Sequence, residues 1–320
     1  MRPILRPGSH VLRRDSSEVQ VGLDPQQAVI LADDGDARAT FALLSRSADV
    51  REYDERSTLD LLQAHQLLID GSTFLPLVPS CAEPPGKLTP QRHDVAALAR
   101  SAGDRAGALL EARKRLEVEV VTFADTPDEC LSHTLADLLR ETGAQVKRST
   151  ARVPRGAPAH AVSPPYPAAS AIAGGQRVAA LLGVGEPHRD LVDEWMRTGV
   201  PHVLLRLTEG FATLGPFVVP GRTACLRCLD AHHTDVDPCW PLLVAQYAGL
   251  SWHDRADGAP EPVDGLVAKV ALAWAARDLA SYAEDRTPST WSTTIRFDSH
   301  LTSIETRTWL RHPECGCGWG

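Results

Sequence analysis

The sequence has few aromatic residues, which make up only 5% of its 320 positions. Apolar residues of all kinds still reach 43%, enough for a buried core. That core is therefore predicted to consist mainly of Leu, Val and Ala side chains. A chain of this length is expected to form two domains, or three.

An excess of basic charge is also missing. The formal net charge is −8 and the isoelectric point is about 5.8, whereas binding to nucleic-acid phosphates requires clustered Lys and Arg. These values argue against a nucleic-acid-binding surface. The basic run "ARKR" at 112–115 is interpreted as the solvated end of a helix.

Long apolar runs are absent as well. No run reaches the ~20 residues that a membrane span requires, and the N-terminal "MRPILRPGSHVLRRD" lacks the apolar centre of a signal peptide. We therefore predict a cytoplasmic protein with no membrane partner. In a reducing compartment, its seven cysteines are expected to be thiols or metal ligands rather than disulfides.

Hydrophobic patterning divides the chain into three predicted segments. Residues 1–80 combine short alternating strands, two short helical patterns and a last strand, "GSTFLPLVP", typical of a winged-helix-like α+β domain. Residues 81–116 are predicted to form a Pro-rich linker and an amphipathic helix. Residues 117–320 alternate strands and helices, which predicts a parallel sheet with right-handed crossovers.

Four cysteines form two closely spaced pairs. Two residues separate Cys225 from Cys228, and one glycine separates Cys315 from Cys317. Each pair can present two sulfurs to one ion, and zinc requires four tetrahedral ligands. The two pairs are therefore predicted to form one zinc site per chain. Its role would be structural, because four thiolates leave no open position for water.

Other interpretations of these cysteines remain open. The two pairs could be unrelated, or Cys225 and Cys228 could be a redox motif. "ACLRC" is not, however, expected to open a helix after a thioredoxin-type strand. His232, His233 and His312 are alternative metal ligands, which we expect instead at the surface or around the site.

The region around the cysteines resembles a known family. The segments "GVPHVLLRLTEGFATLGPFVVPGRTACLRCLD", "GLVAKVALAWAARDLA" and "HPECGCG" resemble the ThiF-like superfamily, to which ubiquitin-activating enzymes belong. Within it, the chain is similar to the leader-peptide-binding (cyclodehydratase C-type) partner proteins of azoline-forming peptide clusters. The segments "VLRRDSSEVQVGLDPQQAVIL" and "LLQAHQLLID" resemble their precursor-recognition domain. The resemblance implies a ThiF-like Rossmann-type α/β sheet with a four-cysteine zinc site, preceded by a small winged-helix-like α+β domain.

One departure from the adenylating members of that family concerns a glycine-rich loop. In those members the loop follows the first strand, and its amides hold the nucleotide phosphates. The corresponding turn here, "FADTPDEC", has no glycine and offers Asp125, Asp128 and Glu129. Carboxylates at this helix N-terminus would repel a triphosphate.

Two further positions differ. "AQVKRST" offers Lys147 and Arg148 where the family places an acidic residue at the end of the second strand. Only Glu186 follows the later strand "ALLGVGEPH", where a metal-binding aspartate is usual. We therefore expect no ATP cofactor and name no catalytic residue. Whether the protein is an enzyme stays open, with a loss of the nucleotide site favoured.

The resemblance implies a function in peptide recognition. The chain would bind the leader segment of a ribosomal precursor peptide and present it to a partner heterocyclising enzyme of the YcaO type, as a homodimer. We expect the peptide to pair as an added strand with the hairpin around Val19–Leu31, beside the helix Ser57–Leu68. The predicted peptide-binding residues are Val19, Val21, Leu23, Val29, Leu31, Leu59, Leu62 and Gln63.

Two alternative functions are compatible with the sequence. One is an ATP-dependent adenylyltransferase of the ThiF type with an unrecognised phosphate loop. The other is a zinc-stabilised scaffold or regulatory protein without a peptide ligand. His188, Arg189 and Asp190, clustered before a helix, are interpreted as helix-cap and surface charges.

Overall fold

The computed structural model describes residues 1–53, 57–79, 90–123, 129–151, 176–248, 259 and 261–317. The chain forms two compact units, Met1–Glu111 and Ala112–Gly320. The predicted segment boundaries and the role of each segment remain predictions.

The first unit contains two small antiparallel sheets and short helices. Its strands are β1 (Pro3–Leu5), β2 (Val11–Arg13), β3 (Glu18–Val21), β4 (Val29–Ala32) and β5 (Leu68–Asp70). The three-stranded sheet has the order β2-β3-β4, and β1 pairs with β5. The helices are α1 (Gly35–Ser45), α2 (Ser57–Ala64), α3 (Gly71–Phe74), α4 (Arg92–Ala102) and α5 (Ala106–Lys114), the last of which crosses the boundary between the units.

Two aspartates fix the first two helices. Asp34 is the N-cap of α1 and accepts the Ala37 N–H at 2.8 Å. Asp36 accepts the Thr58 N–H at 2.9 Å and the hydroxyls of Ser57 and Thr58 at the start of α2. The hydrogen bonds from Ser57 and Thr58 hold the pKa of Asp36 below its usual range. These hydrogen bonds join the start of α2 to α1, and both helices pack against the three-stranded sheet.

Two predictions for the first unit are wrong. The segment "GSTFLPLVP" forms α3 and a 3₁₀ turn, Leu75–Leu77, rather than a strand. Asp70 caps α3 by accepting the Ser72 N–H at 3.0 Å, and a proline in the turn cannot donate to a β-ladder. The single amphipathic helix is instead two, α4 and α5. They are interrupted at Gly103, whose φ of +60° is incompatible with a continuing helix.

The second unit is built on a seven-stranded sheet of order β12-β11-β10-β9-β8-β6-β7. The strands are β6 (Leu116–Phe123), β7 (Gln145–Ala151), β8 (Gln176–Val184), β9 (His202–Thr208), β10 (Phe211–Val218), β11 (Thr293–Phe297) and β12 (Ile304–Thr308). The pairs joining β7, β6, β8 and β9 are parallel. Strand β10 runs antiparallel to β9 because Glu209 and Gly210, both at positive φ, close a two-residue hairpin between them. Strands β11 and β12 continue the sheet with antiparallel pairs.

Helices cover both faces of this sheet. They are α6 (Glu129–Thr142), α7 (Arg189–Thr198), α8 (Leu226–Thr234), α9 (Trp240–Ala248) and α10 (Gly265–Ala283). Helices α6 and α10 pack in one apolar cluster with the sheet, and α7 and α8 pack in a second cluster on the other face. Helix α7 ends at Gly199, which has a φ of +72°. No helix in the described ranges is long and apolar enough to cross a membrane.

Candidate functional site

The four predicted metal ligands lie together in the second unit. Cys225 Sγ is 3.8 Å from Cys228 Sγ and 3.5 Å from Cys315 Sγ, and Cys228 Sγ is 3.4 Å from Cys317 Sγ. A tetrahedral ion with Zn–S bonds of about 2.3 Å separates its sulfurs by about 3.8 Å, whereas the two sulfurs of a disulfide are about 2.0 Å apart. The sulfurs are free thiols at metal-binding distance, compatible with zinc.

A helix start and a glycine turn create this geometry. Cys225 is the N-cap of α8 and Cys228 lies in its first turn, so "ACLRC" does open a helix. The preceding strand β10 is antiparallel to its neighbours, unlike the strands of the βαβ units that carry redox CxxC motifs. Gly316, with a φ of +74°, allows Cys315 and Cys317 to face the same point.

The cluster is stabilised by hydrogen bonds between its own sulfurs. The bond with Cys225 holds the pKa of the Cys228 thiol well below its usual range and raises the pKa of Cys225. Both residues are buried. A metal ion requires all four of its ligands as thiolates.

Two nearby histidines attach the C-terminal tail to α8. His312 Nε2 lies 3.0 Å from an Asp235 carboxylate oxygen, and its Nδ1 accepts the Glu314 N–H at 3.2 Å. His232 Nε2 lies 2.9 Å from the Leu310 carbonyl. His232, Asp235 and His312 bring potential ligand atoms within 4.8 Å of one another. Hydrogen bonds already occupy both ring nitrogens of His312. This group therefore holds the C-terminal tail against α8.

A buried ion-pair network lies beside the cysteines. Arg189, the first residue of α7, forms a bidentate pair with Asp230 of α8, with both bonds at 2.8 Å. It also donates to Glu186 at 2.8 Å, and Arg206 donates to the other Glu186 oxygen at 2.9 Å. Trp240 Nε1 donates to Asp230 at 3.0 Å. Burial alone would lower the pKa of Arg189, but Asp230 and Glu186 raise it.

The interpretation of Arg189 as a surface charge is therefore wrong, since its side chain is only 9% exposed. His188 occupies the N-cap position of α7, as predicted, but makes no side-chain cap bond. Sequence reasoning missed Arg206 and Asp230 as partners of this network. No local motif signals them, because they belong to different elements.

Helix α9 covers part of the carboxyl end of the parallel strands, the edge at which α/β folds commonly bind ligands. A Cβ atom at Gly185, just beyond β8, would lie 3.8 Å from the Tyr247 ring. The Tyr247 hydroxyl donates to Glu261 at 2.9 Å. Burial and this carboxylate raise the pKa of Tyr247. An apolar ring and a paired carboxylate thus occupy space at the end of this strand.

The predicted nucleotide positions are only partly described. Asp125, Asp128 and the side chain of Glu129 lie outside the described residues. Strand β7 continues to Ala151, so Lys147 and Arg148 lie within the strand and not at its end as predicted. Glu186 follows β8 as predicted and is held by two arginines.

A cleft of about 540 Å³ adjoins both the ion-pair network and the cysteines. Its charged wall includes Arg189, Asp230 and Glu314, and α9 supplies an apolar wall that includes Val244. Cys315 lies at its border. The tail that carries two of the metal ligands therefore also shapes this cleft.

Most of the predicted peptide-binding side chains lie inside the first unit. Those at most 9% exposed are Val19, Val21, Val29, Leu31, Leu59 and Leu62. They pack together in one apolar cluster with residues of α1. Leu23 is 80% exposed, and Gln63 is also exposed. The buried side chains hold the hairpin against the helices and are not exposed to a peptide.

Strand β4 is one edge of the three-stranded sheet. Residues of antiparallel strands alternate between hydrogen-bonded and non-hydrogen-bonded positions. The 2.8 Å bond from the Asp33 N–H to the Ser17 carbonyl shows that Asp33 occupies a hydrogen-bonded position. Ile30 and Ala32 therefore direct their N–H and C=O groups away from β3. The Ile30 side chain is 48% exposed, so both its backbone and its side chain are accessible.

No protein-family model matches the sequence, and a search of curated proteins found no match. Among solved structures, the heterocyclase TruD matches 99% of this chain with a TM-score of 0.63 and 17% identity, over 43% of the TruD chain. A heterocyclase in complex with substrate and cofactor matches 99% with a TM-score of 0.61 and 16% identity, over 39% of its chain.

The microcin C7 biosynthetic enzyme MccB in complex with N-formylated MccA matches 99% of this chain and 100% of its own, with a TM-score of 0.57 and 12% identity. The chain spans about two fifths of the length of the two heterocyclase chains. At these identities the likeness concerns the fold. The predicted mixed α/β fold is confirmed, and the chain shares this fold with TruD and MccB.

Proposed function

We propose that this chain is a non-adenylating ThiF-like scaffold of ribosomal-peptide biosynthesis. It binds the leader segment of a precursor peptide and presents it to a partner heterocyclising enzyme of the YcaO type. The observation that carries this proposal is the fold shared, over 99% of the chain, with a heterocyclase and with a biosynthetic enzyme solved in complex with N-formylated MccA. In this proposal the partner enzyme supplies the heterocyclising chemistry.

In this proposal the first unit is a winged-helix-like domain that recognises the precursor peptide. The peptide adds a strand to β4, using the outward N–H and C=O groups of Ile30 and Ala32. The exposed Ile30 and Gln63 side chains are available to contact peptide side chains. The six buried residues act indirectly, by holding β4 against the helices.

We assign the four cysteines to one structural zinc ion per chain. Bound zinc supplies a cross-link between α8 and the C-terminal tail, and four thiolates leave it no open position for a reaction. The sulfur spacing and the hydrogen-bonded thiols support this assignment. The contact between His312 and Asp235 holds the same tail independently of the metal.

The absence of adenylation is supported by the residues at the strand ends. Glu186 already pairs with Arg189 and Arg206, so it would have to leave two cations to bind magnesium. Tyr247 lies against the turn at Gly185. A nucleotide at this end of β8 would have to displace α9, which is anchored by the bond between Trp240 and Asp230.

Proline substitutions on the two edges of the small sheet test the peptide site. The Ile30 N–H points away from β3, so Ile30→Pro blocks strand addition while the β3–β4 ladder keeps its bonds. Val11→Pro makes the matched change on β2, at the opposite edge. The probe is a fluorescently labelled candidate leader peptide, and its binding is measured by anisotropy.

We expect Ile30→Pro to weaken binding on the order of tenfold or more, because the peptide loses a main-chain partner and meets a ring. Val11→Pro should bind like the wild type. Equal affinity of all three proteins would exclude β4 as the docking edge. No binding by the wild type would instead favour a scaffold without a peptide ligand.

A further inference from the structure

The outermost strand of the seven-stranded sheet is accessible to another chain. All residues of β12 are exposed, and β11 is its only neighbour in the sheet formed by the described strands. An exposed edge of this kind presents N–H and C=O groups that can pair with a further strand. The question is which strand fits it.

The direction of these backbone groups follows from the ladder with β11. The Trp309 N–H donates to the Ser292 carbonyl at 2.7 Å, just beyond the paired residues. Since hydrogen-bonded and non-hydrogen-bonded positions alternate, Ile304, Thr306 and Thr308 direct their N–H and C=O groups away from β11. The intervening residues use their groups to bond β11.

We propose that β12 pairs antiparallel with β12 of a second copy of this chain, about a two-fold axis at Thr306. In this register Thr306 lies opposite Thr306 of the second copy, and Ile304 lies opposite Thr308. All outward-facing residues then occupy hydrogen-bonded positions, giving about six hydrogen bonds across the axis. The two sheets become one continuous sheet.

The charges of β12 select this register. It places Glu305 opposite Arg307 of the second copy, and the symmetry repeats the pair. These are non-hydrogen-bonded positions, where opposing side chains come closest. A shift by two residues would place Glu305 opposite Glu305, or Arg307 opposite Arg307. Parallel in-register pairing would also oppose like charges, which destabilises a pair of strands.

Both charged side chains are already held on one face of the sheet. A Glu305 oxygen lies 3.7 Å from Arg296 Nη1, and the Arg307 guanidinium lies 3.7 Å from the centre of the Trp309 ring. Neither contact buries its charge, because the whole strand is exposed. A second copy would meet side chains whose positions are restricted before it binds.

The pairing predicts a reversible dimer. Five residues from each chain form a small interface beside the roughly 1,200–2,000 Å² of stable complexes. The population of dimer should therefore rise with protein concentration. The inference names a surface for the homodimer that the resemblance implies, and it does not depend on peptide binding.

Sedimentation velocity of the full chain over a concentration series tests the surface. The wild type should shift from monomer toward dimer as concentration rises. Thr306→Pro should remain monomeric, because it removes an outward N–H that β11 does not use. Circular dichroism and thermal unfolding show whether each variant is folded.

Charge reversal provides a test that does not involve the backbone. Glu305→Arg opposes like charges at both pairs and should weaken association on the order of tenfold. The double change Glu305→Arg, Arg307→Glu restores opposite charges and should recover the dimer. Lys269→Glu, on an exposed position of α10, is the control and should dimerise like the wild type.

A wild type that stays monomeric at every concentration would overturn the proposal. So would a dimer that persists in folded Thr306→Pro, or a double reversal no better than Glu305→Arg alone.

Discussion

His202, the first residue of β9, is fully buried and uncharged in the folded chain. Its Nδ1 lies 2.9 Å from the Val200 carbonyl, and its ring packs against Trp195 with 5.3 Å between centroids. Burial lowers the pKa of His202 from 6.5 to about 4. The unfolded chain therefore takes up a proton near pH 6.5, while the folded chain does so only near pH 4. Stability should fall as the pH decreases through this interval and be unaffected above it.

We predict that His202 lowers the free energy of unfolding by about 3 kcal/mol between pH 6.5 and pH 4. His202→Gln keeps a donor for the Val200 carbonyl but cannot titrate, so it should remove most of this fall. Urea unfolding of both proteins over a pH series measures the difference. The pKa of His233 is also lowered by burial. His233 is present in both proteins, so its contribution drops out of the difference between their pH profiles. Parallel pH profiles would contradict the assignment.

The residues of the metal site are predictable from the sequence, whereas those of the ion-pair network are not. Cys225 and Cys228 can be recognised from residue type and spacing, since closely spaced thiolate pairs have few roles other than metal binding. Arg189 becomes buried only because α8 brings Asp230 to it and β9 brings Arg206 into the same network. Contacts of this kind depend on how elements pack, which the sequence around Arg189 does not encode.

At the scale of elements, α8 and the C-terminal tail depend on the four cysteines. We predict one zinc ion per chain in purified protein, measured by mass spectrometry of the metal content. Cys225→Ala should lose it and unfold at a lower temperature, because the tail then relies on the contact between His312 and Asp235. Cys239→Ala changes an exposed cysteine outside the cluster and should keep the metal. A well-folded wild type without metal would exclude the site.

Elements with strong local signals form as predicted. Residues 117–320 alternate strands and helices as predicted, from β6 and α6 to β8, α7 and β9. The strand assigned to "GSTFLPLVP" fails because a cap at Asp70 and a proline favour helical turns. The hairpin between β9 and β10 is not predictable in this way, since it depends on the positive φ angles of Glu209 and Gly210, and Glu209 is not a residue type that signals such a turn.

At the scale of the whole molecule, the two units offer different exposed strand edges. In the first unit β4 is proposed to receive a peptide, and in the second β12 is proposed to receive a second copy. The fold matches TruD and MccB at only 17% and 12% identity. The architecture is therefore retained while most residues differ. The residues at the strand ends can differ, here leaving Glu186 paired with arginines.

Calorimetric titration of the full chain with the leader peptide, with magnesium-ATP and with both tests the central claim most directly. The account predicts heat of binding for the peptide, the same peptide affinity with or without magnesium-ATP, and no heat for magnesium-ATP alone. E. coli MccB, which has been solved with ATP, is the positive control for nucleotide binding. Tight, magnesium-dependent binding of ATP by this chain would contradict the account and favour an adenylyltransferase.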